Sequence, residues 1–166
     1  EAQPAIRAQS LGVSDNLYLL SGSGGNALMM TADAGTVLVD TGAAASAAQL
    51  AEIASTISDQ PLTTIIYTHA HADHTGGGSG LPAVPRIVAH PQTRSAMRHQ
   101  GVLEAQLPAT TVTESLTLFE GPDRVEVHHV GVGHTAGDLI VVFPGKRLAY
   151  LGDLFLVFNR SGKFSQ

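Results

Sequence analysis

The densest chemistry in the chain lies in His69-Ala70-His71-Ala72-Asp73-His74, three imidazoles and one carboxylate within six residues. Residues two apart on an extended chain project to the same side, so His69 and His71 can grip one ion. As the chain turns, Asp73 and His74 can be aimed at a neighbouring position. Imidazole and carboxylate suit zinc, iron or manganese, and with no cysteine in the sequence a thiolate ligand or a cysteine nucleophile is excluded. A solvated loop has no need of such a cluster, least of all one followed by Gly76-Gly77-Gly78. Two other segments carry candidate ligands: His134 in Gly131-Val132-Gly133-His134-Thr135, and Asp153 after Tyr150-Leu151-Gly152. Taken singly, each reads as a turn or cap residue. Taken with the first cluster, they form a set of strand-end ligands converging on one sheet edge, where open α/β folds place their sites.

The elements that must position these groups follow from the apolar pattern. Leu17 to Leu20 reads as a strand, and Ala27 to Thr31 and Thr36 to Val39 as a hairpin around Ala32-Asp33-Ala34-Gly35. Leu50, Ile53, Ala54 and Ile57 recur at helical spacing within 43–58, and Pro61 stops that helix. The β-branched stretch Ile65-Ile66-Tyr67 runs straight into the histidine cluster. A strand over 87–89 precedes a helix from Pro91 to Gln100, with proline at its first position and Gly101 past its end. Strands follow near 115–119, 125–130, 139–143 and 148–151. Strand-helix-strand order with later meander-like strands indicates an α/β class with a mixed sheet.

Composition excludes several function classes. The 166 residues are 43% hydrophobic and 14% charged, enough for one packed domain and unlike a disordered chain. No apolar stretch reaches the ~18 residues of a membrane span. The net charge of -5 and the scattered Lys and Arg disfavour nucleic acid as a partner. Gly22-Ser23-Gly24-Gly25-Asn26-Ala27 imitates a dinucleotide fingerprint, but a strand-like segment follows where a helix is required. Gly76 to Gly80 lacks the ending of a phosphate loop and is expected to let backbone pass close to the metals. Of the other histidines, His99 is explained by the dipole at its helix end. His90, His128 and His129 are not expected to be ligands, although His128 or His129 could support one. The absent initiator Met and the Ala/Gln/Pro start suggest a removed leader and a periplasmic or secreted origin, or a trimmed chain.

The residues Thr68-His69-Ala70-His71-Ala72-Asp73-His74, Gly133-His134-Thr135 and Gly152-Asp153, in that order, resemble the metallo-β-lactamase superfamily of dinuclear metallohydrolases. Val37-Leu38-Val39-Asp40-Thr41-Gly42 matches a strand-to-helix turn typical of it. The resemblance covers nearly the whole chain and implies one domain over 1–166, an αββα sandwich with mixed β-sheets. By that resemblance His69, His71 and His134 hold the first of two metals, zinc foremost. Asp73 and His74 serve the second, and Asp153 bridges both. Asp40 either orients a ligand or closes the turn before the helix. Family domains continue well beyond the Gly-Asp segment and add a further histidine, whereas no histidine follows Asp153 here. The second site is thus expected to be one protein ligand short and the second half of the fold only partly present. The apolar run Leu154 to Phe158 is expected to need covering, by another copy of the chain or by a longer parent protein.

The function this implies is hydrolysis of a small molecule. A metal-bridging hydroxide would attack an ester, thioester, lactone or similar electrophile, with Asp73 orienting the nucleophile and shuttling its proton. Two divalent ions, two carboxylates and one hydroxide leave a site charge of about +1, suited to a developing oxyanion. Asp153 at the bridging position favours the broader hydrolase group over the true β-lactamases, which by resemblance lack it. The alternative is a metal-binding but catalytically idle domain, or a fragment completed by a partner. A nuclease of the same superfamily is opposed by the acidic charge balance. An oxygen-reducing di-iron relative is opposed by His71, where by resemblance that branch carries an acid.

Overall fold

The computed structural model describes residues 5–12 and 15–155. Its first sheet has seven strands in sequence order. They are β1 (Arg7–Ser10), β2 (Leu17–Ser21), β3 (Ala27–Ala32), β4 (Gly35–Val39), β5 (Leu62–Ile66), β6 (Arg86–Ala89) and β7 (Thr110–Thr111). Strands β1 to β4 pair antiparallel, and β4 to β7 pair parallel, so the sheet is mixed as expected. The parallel pairs need crossovers, which α1 (Ala47–Ile57), α2 (Ala72–Thr75) and α3 (Pro91–His99) help to supply. The second sheet holds β8 (Ser115–Leu118), β9 (Val125–His129), β10 (Leu139–Phe143) and β11 (Leu148–Tyr150), all antiparallel.

Strand periodicity sorts the core into two layers. Leu28, Met30, Val37, Val39, Ile66 and Val88 face inward and meet Leu118, Val125, Val127, Leu139, Val141 and Phe143 of the second sheet. Their neighbours Met29, Leu38, Ile65, Tyr67 and Ala89 point the other way, against Leu50 of α1 and Met97 of α3. A helix layer, a mixed sheet and an antiparallel sheet therefore stack in that order. Among the described residues no helix covers the outer face of the second sheet, in keeping with a second half only partly present. None of the described helices is long and apolar enough to cross a membrane.

Most expected elements lie within two residues of their observed bounds, and the differences have local causes. Strand β8 stops at Leu118 because Phe119 takes φ 61°, which a strand cannot continue. Strand β1 has no apolar pattern, all four residues being exposed; only its antiparallel pairing to β2 creates it. The segment Gly22 to Ala27 leads into β3 and not into a helix, as a dinucleotide fingerprint would require. Gly76–Gly80 forms a 3-10 turn that packs on the segment entering α1: a Cβ on Gly76 would lie 2.7 Å from the Ala44 nitrogen. Contact with residues 41–47 explains Gly76, Gly77 and Gly80, and the Tyr67 hydroxyl lies against Gly78. Of the apolar run Leu154 to Phe158, Leu154 is half-buried and Phe155 is 70% exposed, and the remainder lies outside the described residues.

Candidate metal centre

Strands β4 and β5 run parallel and end together, which brings Asp40 beside Thr68. Asp40 adopts φ 59°, in the left-handed region that aspartate tolerates better than most residues, and is wholly buried. The bend turns its carboxylate back under the histidine segment. There it accepts hydrogen bonds from the Thr68 amide at 2.8 Å, from Thr68 Oγ1 at 2.7 Å and from His74 Nδ1 at 2.8 Å. These bonds hold the His74 ring, as expected of a residue that orients a ligand, and they go to the histidine segment rather than to the turn before the helix. Because Thr68 Oγ1 donates to Asp40, it is left to accept from His69 Nδ1, 3.0 Å away. Both imidazoles thus carry their proton on Nδ1 and present a bare Nε2 when neutral.

Those bare nitrogens meet the remaining candidates. His69 Nε2 lies 3.1 Å from His71 Nδ1, and His134 Nε2 lies 3.0 Å from the same atom. His134 arrives on the turn between β9 and β10, tied by Asp138, whose carboxylate accepts from the Thr135 amide at 2.7 Å and from Thr135 Oγ1 at 2.8 Å. Asp153 follows β11 in a 3-10 turn. Its Oδ2 is 3.5 Å from His134 Nε2 and 3.8 Å from His69 Nε2, while its Oδ1 is 3.2 Å from His74 Nε2. One carboxylate therefore faces two adjacent groups of ligands. Asp73, with a side chain 45% exposed, places Oδ2 3.7 Å from His74 Nε2.

Ligand atoms of His69, His71, His134 and Asp153 lie within 4.8 Å of one another. Bonds of 2.0–2.1 Å to a tetrahedral ion put neighbouring ligand nitrogens about 3.3 Å apart, close to the spacings seen. The donor types fit a divalent cation, and the spacings of 3.0 to 3.8 Å linking His69, His71, His134 and Asp153 lie near that value. His74, Asp73 and the second oxygen of Asp153 form a second, smaller group beside it, the His69 and His74 ring centroids being 4.2 Å apart.

The two buried histidines differ in proton affinity. Burial, reinforced by the charge of neighbouring His74, lowers the His69 pKa to about 4, so this ring is neutral and ready to ligate. Burial also opposes charge on His74, but its hydrogen bond to Asp40 and the charges of Asp40, Asp153 and Asp73 win and raise its pKa. Burial likewise pushes the Tyr150 phenol well up, keeping it a donor to the Asn26 carbonyl at 2.6 Å. That contact helps hold Gly25 over the second group, where a Cβ would come 3.2 Å from His74 Nε2.

The structure thus gathers all six candidates, His69, His71, Asp73, His74, His134 and Asp153, at neighbouring strand ends of the two sheets. Of the other histidines, His90 caps α3, its Nδ1 accepting from the Gln92 amide, and its ring stacks on His129 at 4.0 Å. His129 Nδ1 in turn donates to the Asp138 carbonyl at 3.0 Å, supporting the turn that carries His134. Sequence reading missed Thr68, Asp138 and Tyr150. Aspartate three residues after Thr135 is a recognisable turn signal; the other two act only through tertiary contacts.

Known proteins similar to this chain share its family or its fold. Over 131 residues the chain is 34% identical to the 2,4-dinitroanisole O-demethylase subunit alpha of Nocardioides sp. (strain JS1661); the match takes in 76% of this chain and 40% of that protein. A metallo-beta-lactamase from Pontibacter korlensis superposes with a TM-score of 0.69 at 24% identity, over 84% of this chain and 67% of the other. The DIM-1 metallo-beta-lactamase gives a TM-score of 0.73 at 20% identity, over 90% and 70%. At such identities these two structures speak for the fold alone. The family profile described as the metallo-beta-lactamase superfamily matches residues 20–160, most of the sequence, and the chain belongs to that superfamily.

Proposed function

We propose that this chain is a dinuclear metal-dependent hydrolase of small molecules. The observation that carries the reading is Asp153, whose two oxygens address His69 and His134 on one side and His74 on the other. His69, His71 and His134 would hold the first ion, Asp73 and His74 the second, with Asp153 common to both. Two divalent cations, zinc foremost and iron or manganese as alternatives, would lower the pKa of water toward about 7 and supply hydroxide to attack an ester, thioester, lactone or similar electrophile. Asp40 and Thr68 keep the His69 and His74 nitrogens bare and aimed. Asp73, the most exposed carboxylate of the group, is placed to orient the nucleophile and to take its proton.

The relative from Nocardioides widens the range of electrophiles. Its name denotes removal of the methyl group from an aryl ether whose two nitro groups make the ring carbon electrophilic. An activated aryl ether therefore joins the carbonyl esters as a substrate class to screen. That relative is also named as a subunit, and this chain spans less than half its length, so a partner chain beside the exposed Phe155 belongs to the same proposal. Replacing Asp153 with alanine is expected to abolish metal-dependent turnover of p-nitrophenyl esters. Turnover retained in Asp153→Ala would sink the dinuclear mechanism.

A further inference from the structure

Beside the metal centre a cavity of about 500 Å³ opens between α3 and the turn that carries His134. That is within the range of small-molecule sites. His71 lines it at the metal end, Gln92, Ser95 and His99 along α3, and Thr135 and Ala136 on the opposite wall. It therefore shares one ligand, His71, with the reacting centre. No carboxylate, ammonium or guanidinium lines it. The two arginines of α3 are engaged elsewhere, Arg94 and Arg98 both pairing with Glu104. A charged group entering this space finds no salt-bridge partner among the lining side chains, whereas an uncharged polar group finds hydrogen-bonding partners there.

One partner is defined in detail. His99 Nδ1 lies 2.7 Å from the Ser95 carbonyl, an acceptor only, so the neutral ring carries its proton there. Nε2 is then a bare acceptor, with no partner among the described residues. The helix contact explains how the ring is held but leaves that nitrogen unused. We propose that the cavity binds an uncharged arm of the substrate that donates a hydrogen bond to His99 Nε2, making His99 a specificity-determining residue. This rests on the hydrolase reading above, since it names the substrate class for the same centre.

The test uses the zinc-reconstituted chain and three probes of one shape: benzamide, benzoate and benzylammonium. Binding is followed by nuclear magnetic resonance at the Ser95 and Ala136 amides and the His99 ring, at mildly alkaline pH. Benzamide is expected to shift these signals saturably, with the two ions at least about 10-fold weaker there. Because Ala136 and His99 are exposed, substitutions at them spare the fold. Ala136→Phe is expected to fill the space and abolish the shifts, and His99→Phe to weaken benzamide by about 2–10-fold, as loss of one hydrogen bond does. No binding by benzamide, equal binding of either ion, or unchanged affinity in His99→Phe would overturn the proposal. Failure of the hydrolase reading looks different: no zinc taken up, or no ester turned over, with benzamide binding intact.

Discussion

Asp40 accepts from His74 directly and from His69 through Thr68, so one buried carboxylate fixes the ring orientation of a ligand in each half of the centre. An asparagine there keeps the size but presents an amide donor to a site built from donors. One of Thr68 or His74 then loses its acceptor, and a His74 forced to its other tautomer covers Nε2 with a proton. Asp40→Asn is expected to weaken metal affinity by about 10–100-fold, the usual range for partners that orient a ligand; chelator competition measures it, and unchanged affinity would contradict the role. The same residues set the pH response. His69, lowered to about 4, needs no deprotonation near neutrality. His74, raised above its ordinary 6.5, takes up a proton at higher pH than His69, and a metal binding there must displace it. Metal uptake at mildly acidic pH should therefore release protons, and affinity on the His74 side should fall first as pH drops. Calorimetry in buffers of different ionisation enthalpy reads this directly; a buffer-independent heat would refute it.

At the scale of elements, the site is a meeting of chain ends. Strands β4, β5 and β11 and the turn before β10 each deliver one or more groups to the same edge. The loop before β3 closes over them from another side. At Gly25 that loop has no room for a side chain, because a Cβ would meet the Asp73 carbonyl at 2.5 Å and His74 Nε2 at 3.2 Å. Gly25→Ala is expected to lower occupancy on the Asp73–His74 side while the His69, His71 and His134 group keeps its ion, as metal analysis of the variant would show. Much of this was legible beforehand. The apolar runs around Leu28, Val37 and Ile66 are continuous because each strand is buried on both faces, and α1 declared itself through Leu50, Ile53 and Ile57. Strand β1 was not legible, since Arg7 to Ser10 are exposed and owe their conformation to a partner strand. The stacking of His90 on His129 joins the start of α3 to β9 across the two sheets, a contact no local pattern records. The role of Gly76, Gly77 and Gly80 was hidden for the same reason: their neighbours are Ala44, Thr41 and Ala47, before and at the start of α1.

At the scale of the molecule, stability and chemistry occupy different places. The two apolar layers pack on the two faces of the first sheet, and the candidate ligands stand beyond the strand ends of both sheets. Buried imidazoles and carboxylates packed this closely cost stability unless a cation pairs with them. Metal removal by a chelator is therefore expected to lower the melting temperature, and by more at low salt, where like charges are least screened. The six candidate positions stand out in the sequence because their types and order are unusual. The proposed division between two ions rests on Asp153, whose two-sided placement only the folded chain displays.

The central claim is a centre for two ions, and the most direct measurement is the number and identity of metals per chain, by elemental analysis of protein purified without added metal. Two ions per chain are expected, with zinc foremost. One ion or none, in a chain that remains folded by circular dichroism, would contradict a dinuclear site.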